Sequence, residues 1–242
     1  IRTTGQRQIR AAMSSLLTLA RGDDNRIRQE AVRALQLIAA PEDLSALVAL
    51  LVEKPDNALQ GLVVSVAGKQ SQGQGSAKGL TEAYDKTQDK NAKMALLAVI
   101  GRIGDSQTVD FLRKQAAAAD AEIAQAAFRA MSDWPGSDFA KEMKQVAETS
   151  QDEKTKVIAF RSYLRMVSKD SARSTDQIVD EIANAMTLVN RSAEQKQVLS
   201  ALSAYGSEKA LNAAITAMEN PELKAEAEVA IVSFCSKIGS GL

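Results

Sequence analysis

Apolar residues recur along this chain in short stripes at the i, i+3, i+4, i+7 spacing of helices that bury one face. The clearest case runs from Asp24 to Lys54: Ile27, Ala31, Ala34, Leu35 and Ile38, a Pro41-Glu42-Asp43 turn, then Leu44, Leu47, Val48 and Leu51. This predicts an αα-hairpin. Its stripes are too wide for two helices to cover each other, so it needs similar hairpins on either side.

The remaining chain supplies them. A helix over Thr4 to Ala20, with Ile9, Met13, Leu16, Leu17 and Ala20 inward, is expected as a half-repeat or cap, ended by Gly22 with Asp24 or Asn25 capping the next helix. A nearly all-apolar helix from Ala58 to Gly68 follows, then a polar, glycine-rich loop from Gly68 to Gly79 and a short helix with Leu80, Ala83 and Tyr84. Asp89, Asp120 and Asp152 each open a further hairpin, the last with a longer connection from Ser168 to Thr175. Ser192 is expected to cap a helix carrying Val198, Leu199, Leu202 and Tyr205, followed by one with Leu211, Ile215 and Met218 inward. Asn220-Pro221 opens the last helix, whose stripe is Ala227, Ile231, Phe234, Cys235 and Ile238, ended by Gly239-Ser240-Gly241. No turn-flanked run of period two reads as a strand.

A step of 32 residues sets the register: Ala31, Val63, Ala95, Ala127 and Ala159 fall in one column, and Val32, Val64, Leu96, Phe128 and Phe160 in the next. Alanine there allows close approach of neighbouring helix axes, and the larger residue beside it fills the groove. The expected fold class is therefore all-α, an α-solenoid of about seven stacked antiparallel hairpins. It is read as one array over 1–242, with a cap helix at 1–22, units at 24–54, 56–88, 89–119, 120–150, 152–190 and 192–219, and a terminal half-repeat at 221–239.

Composition narrows the chemistry. Aromatics are 4% while the wider apolar set is 45%, so Ala, Leu, Val, Ile and Met do most of the packing. Thirty basic and thirty acidic residues cancel, leaving no net field to gather nucleic acid or anionic lipid. Histidine is absent and Cys235 is the single thiol, so a Cys/His zinc site, a Ser-His-Asp triad or a Cys-His pair cannot be built from this segment. Cys235 lies on an apolar helical stripe and is expected to be buried. No run approaches the ~18 apolar residues of a membrane span. The chain starts at Ile1 with no signal-peptide pattern, and the expectation is an excised or mature piece of something longer. The segment is read as carrying no catalysis and no cofactor.

Several stretches carry a family resemblance. Ala31-Val32-Arg33-Ala34-Leu35-Gln36-Leu37-Ile38 with Pro41-Glu42-Asp43-Leu44, and Ala95 through Ile103-Gly104-Asp105 to Leu112, resemble HEAT-like repeats of the phycobilisome-lyase type. Ala127-Phe128-Arg129-Ala130-Met131-Ser132-Asp133-Trp134-Pro135 resembles an A-L-R-A-L-x-x-W-P repeat. Ala159-Phe160-Arg161-Ser162-Tyr163-Leu164-Arg165-Met166 resembles A-L-R-G-Y-x-R-L, with Ser162 in place of the glycine. Both repeats belong to HEAT arrays of large secreted bacterial proteins that adjoin a 3-keto-disaccharide hydrolase-type domain. The resemblance implies a bacterial scaffold or protein-binding surface. Its alternative implication is an accessory domain that positions the site of an adjoining carbohydrate-active domain. It also favours an extracytoplasmic location.

The remaining motifs have plainer readings. Arg33, Arg129 and Arg161 share a column, read either as a basic strip for an acidic partner or, preferred, as arginines that pair with carboxylates on adjacent repeats or cover apolar surface with their stems. Trp134-Pro135 is either an aromatic platform or, preferred, core packing at a helix boundary. Gly73, Gly75 and Gly79 match no phosphate-binding pattern. Glu42-Asp43 and Asp23-Asp24 suit helix starts, and the ligand spacing of a calcium loop is absent. Asn190-Arg191-Ser192 fits a glycosylation sequon, with capping by Ser192 the simpler use. A protein partner, or an adjoining domain of the same chain, is expected on the face lined by the second helices. Lys54, Arg113, Lys114, Lys141, Lys144 and Glu148 are the candidate contacts.

Overall fold

The computed structural model describes residues 1–69 and 76–239, and among these it is all helical, with no strand. Two compact units result, Ile1–Pro135 and Gly136–Leu242. Each is a stack of paired helices, so the fold class is the all-α solenoid that the periodicity predicts.

In the first unit, α1 (Arg2–Gln6) and α2 (Met13–Arg21) precede α3 (Asn25–Ile38), α4 (Leu44–Glu53), α5 (Asn57–Ala67), α6 (Ser76–Lys86), α7 (Lys90–Ile103), α8 (Val109–Ala116) and α9 (Ala121–Ser132). First helices form one layer, α3 against α5, α5 against α7 and α7 against α9, while α4 packs on α6 in the other. In the second unit, α10 (Ala140–Thr149) packs on α11 (Glu153–Val167). There α11, α13 (Ser192–Leu202) and α15 (Lys224–Gly239) make one layer, and α12 (Thr175–Asn184) and α14 (Glu208–Ala217) the other.

A recurring aspartate starts the first helices. Asp24, Asp56, Asp89, Asp120 and Asp152 sit at the N-caps of α3, α5, α7, α9 and α11, and each side chain accepts from first-turn amides. Those amides have no partner within the helix, and the carboxylate also meets the positive end of the helix dipole. Side chains one repeat apart then tie the layers together: Arg21 to Glu53 at 2.7 Å, Lys54 to Asp23 at 3.1 Å and Lys90 to Glu122 at 2.6 Å. All three are solvent-screened, so they set register more than stability.

The 32-step column is buried throughout: Ala31, Val63, Ala95, Ala127 and Ala159 are each less than 5% exposed. Beside it, Val32, Leu96 and Phe160 are buried and Val64 and Phe128 half-buried. Trp134 is buried at 1%, which settles its packing role, and Pro135 lies against Gly104. Gly104 takes the left-handed conformation at φ 72° that ends α7.

The structure departs from expectation in several places. The opening helix is broken: α1 ends at Gln6, Gln8 takes φ 52°, and a 3-10 turn over Arg10–Ala12 leads into α2. Both halves pack on α3, with Gly5 so near Ala34 that a Cβ would stand 2.8 Å from its Cα, and a straight helix could not lay both pieces there. Leu16 and Ala20 are buried as expected, but Ile9 and Ile27 are exposed. Gly22 is extended at φ −61° rather than left-handed, and Asp24 is the cap. Ser192 does not cap α13: Arg191 holds that position and no side chain bonds the first turn.

In α14 the inward face is Ala210, Ala214 and Ala217, while Ile215 is 50% exposed and Leu211 and Met218 half-buried. Alanines win there because α14 lies close against α15, whose Ala227 and Ala230 join the same cluster together with Leu223 just before that helix. On α15, Ala227 and Phe234 point inward, but Cys235 is exposed and Val229 and Val232 are 70% exposed on the opposite face. The expected glycine-rich loop at Gly68 to Gly79 has residues 70–75 outside the described residues, and α6 begins earlier than expected, at Ser76. The ending at 240–242 and the side chain of Ile238 also lie outside them.

Candidate functional site

The six charged candidates do not converge. In the first unit Lys54, at the end of α4, is held by Asp23, while Arg113 on α8 is 3.3 Å from Asp110 of its own helix, with Lys114 exposed beside it. In the second unit Lys141, Lys144 and Glu148 share a face of α10 by their three- and four-residue spacing. Lys144 joins a structured cluster there. Its ammonium is 3.7 Å from Glu181 of α12 and 5.8 Å from the centre of the Tyr163 ring.

That cluster joins α10, α11 and α12. The Tyr163 hydroxyl donates to Glu181 Oε2 at 2.5 Å, and Arg173, itself on Asp170, reaches Glu181 Oε1 at 3.3 Å. The hydrogen bond from Tyr163, reinforced by Lys144 and Arg173, holds the Glu181 carboxyl below the usual glutamate range. Burial first, and then the Glu181 charge, push the Tyr163 phenol well above its ordinary value. Such a phenol stays protonated and donating. The arrangement ties α10, α11 and α12 together through side chains.

The arginine column pairs with the next repeat at Arg161, while Arg33 pairs within its own helix. Arg33 is 2.6 Å from Glu30, which also holds Arg2, and Arg161 donates to Glu194 at 3.0 Å across one repeat. Arg129 is exposed on α9. Asp43 and Glu42 are engaged by Arg10, which also donates to the Ile38 carbonyl at 2.8 Å and so closes the end of α3. Among the described residues no cluster of three or more Cys, Asp or Glu is arranged to hold a metal ion, and no helix is long and apolar enough to cross a membrane.

On the second-helix face a groove of about 510 Å³ lies between α4 and α6. Ser45 and Ala49 line it from one helix and Gly79 and Ala83 from the other, and Glu42, Glu82 and Lys86 stand at its edge. Small residues on both helices leave the valley open where larger ones would fill it. None of the six charged candidates lines this groove. Charge alone drew attention to exposed lysines and arginines, whereas the small-residue positions on consecutive second helices were the available signal.

No family model and no curated protein matches this sequence. The phycobilisome-lyase type therefore has no support beyond the motifs themselves. Among solved structures the chain is similar to human deoxyhypusine hydroxylase in complex with glycerol, at 12% identity and a TM-score of 0.43, covering 96% of this chain and 99% of that one. One expectation is corrected by it: the exclusion of catalysis does not stand, because the similar protein is an enzyme built on a helical-repeat fold. A likeness this weak assigns no activity in return.

Proposed function

We propose that this chain is a HEAT-like protein-binding module that seats a segment of a protein partner, or of an adjoining domain, in the groove between α4 and α6. The observation that carries this reading is the groove itself, an open valley floored by Leu44 and Val48 and walled by Ser45, Ala49, Gly79 and Ala83. Stacked hairpins present consecutive second helices side by side, so the valley between two of them suits an elongated segment with apolar side chains. Glu42, Glu82 and Lys86 would fix its direction from the rim.

A photo-crosslinking residue at Ala49, compared with one at the exposed Asn212, tests the reading in cells of the source organism. The expected result is a discrete protein adduct at position 49, lost when Ala83→Arg fills the valley while the circular dichroism stays helical. Equal or absent adducts at the two positions would contradict it.

A further inference from the structure

A second surface lies on the first-helix layer of the first unit and is independent of the groove between α4 and α6. Arg102 and Arg129 sit in the last turns of α7 and α9. Gly101 and Ala130 bring those helices together backbone to backbone, so the two arginines, one residue away on each helix, stand at the same level. Both are exposed, and among the described residues neither guanidinium has an ion pair or a hydrogen bond. Arg33, Lys54 and Lys90 of the same unit are each held by a carboxylate. The helix dipole favours a cation in each last turn. It leaves open, on both side chains, a planar fork of N–H donors that matches a carboxylate.

One turn back along both helices the surface sinks into a groove of about 360 Å³. Met94 and Ala98 of α7 line it between Asn57 and Gln60 of α5 and Gln125 and Arg129 of α9. The three amide side chains make no hydrogen bond among the described residues, and each carries both a donor and an acceptor, as a peptide group requires. At the other end of the groove Glu122 and Asp120 share the single ammonium of Lys90. One end is therefore acidic and the other basic. A nucleic acid would need positive charge along the whole groove, which Glu122 and Asp120 deny it.

We propose that this groove binds an extended acidic segment of a protein partner. Two of its carboxylates take Arg102 and Arg129, the amides of Asn57, Gln60 and Gln125 bond its main chain, and an apolar side chain rests on Met94 and Ala98. Repulsion from Glu122 fixes its direction.

An amide chemical-shift titration of the full chain with the end-blocked peptide ELDE, compared with the end-blocked peptide KLKK, tests this. The acidic peptide is expected to shift Gln60, Met94, Ala98 and Gln125 and to saturate at millimolar concentrations or below, while the basic one leaves them unmoved. Arg102→Ala and Arg129→Ala should each weaken the acidic peptide about fivefold, the loss of one exposed ion pair. Both side chains are exposed, so the helical content should be intact. Ala83→Arg, which fills the other groove, should leave the affinity unchanged. Arg102→Glu combined with Arg129→Glu should take the basic peptide instead. No shift with the acidic peptide, shifts centred elsewhere, or undiminished affinity in the two alanine variants would overturn the proposal.

Discussion

Gly101 of α7 lies so close to Ala130 of α9 that a Cβ on it would stand 2.3 Å from the Ala130 carbonyl oxygen and 2.6 Å from its Cα. The two helices meet backbone to backbone. Those atoms cannot rotate aside, so Gly101→Ala must push the helices apart. Overpacking costs on the order of 1–3 kcal/mol, which exceeds the ~0.8–1 kcal/mol that alanine gains over glycine within a helix. Gly61 of α5 is the matched control, since a Cβ there meets nothing within 4 Å. Denaturant unfolding should show Gly101→Ala destabilised and Gly61→Ala stabilised by about 0.5–1 kcal/mol. The same sign for both would contradict the contact.

The Tyr163–Glu181 bond makes a pH-dependent prediction. Glu181 has its folded pKa lowered, so its contribution is present above the ordinary glutamate range and is lost as pH falls through the lower folded value. Tyr163 is shifted the opposite way, so its contribution holds below its ordinary value of 10.0 and is lost as pH rises beyond it. Tyr163→Phe should cost about 1.5–3 kcal/mol at neutral pH, as expected for a hydrogen bond to a charged group. The gap between the variant and the parent should shrink as Glu181 is protonated. A gap unchanged between neutral and strongly acidic pH would show that the carboxylate is not the acceptor.

Asp89 tests the caps. Its carboxylate accepts from the Ala92 amide at 2.7 Å at the start of α7. Asp89→Ala should cost about 1 kcal/mol and Asp89→Ser much less, because serine restores the acceptor. Both are measured by unfolding followed through the fluorescence of Trp134, the single tryptophan. Equal losses would mean that the cap bond is not what starts the helix.

Much of the fold was legible because hairpin stacking leaves a periodic record. The aspartates at 24, 56, 89, 120 and 152 recur every 31–33 residues and the column from Ala31 to Ala159 every 32, the first at helix starts and the second in the core. What misled was residue size. In α14 the larger Leu211, Ile215 and Met218 suggested the inward face, but the close approach of α15 selects Ala210, Ala214 and Ala217. The same preference for apolar side chains placed Cys235 inside. Local periodicity also could not show that α1 and α2 must both reach α3, which breaks the opening helix at Gln8. Glu194 went unnoticed because a glutamate in a first helical turn ordinarily serves the dipole from the surface, and only the packing of α11 on α13 encloses it.

Cys235 is exposed on α15, so a maleimide should label the folded protein at a rate close to that of the denatured chain. Strong protection in the native state would restore the buried reading and put the phase of α15 in error.

The central claim is that small residues at a 32-step spacing let neighbouring first helices lie together. Ala127, fully buried, and Ala121, exposed at the start of the same helix, separate that claim from helix propensity. The decisive measurement is the difference in unfolding free energy between Ala127→Leu and Ala121→Leu, read from Trp134. Overpacking predicts a loss of roughly 1–3 kcal/mol at position 127 and a change within about 0.5 kcal/mol at position 121. Equal stability of the two variants would contradict the stacked-hairpin account.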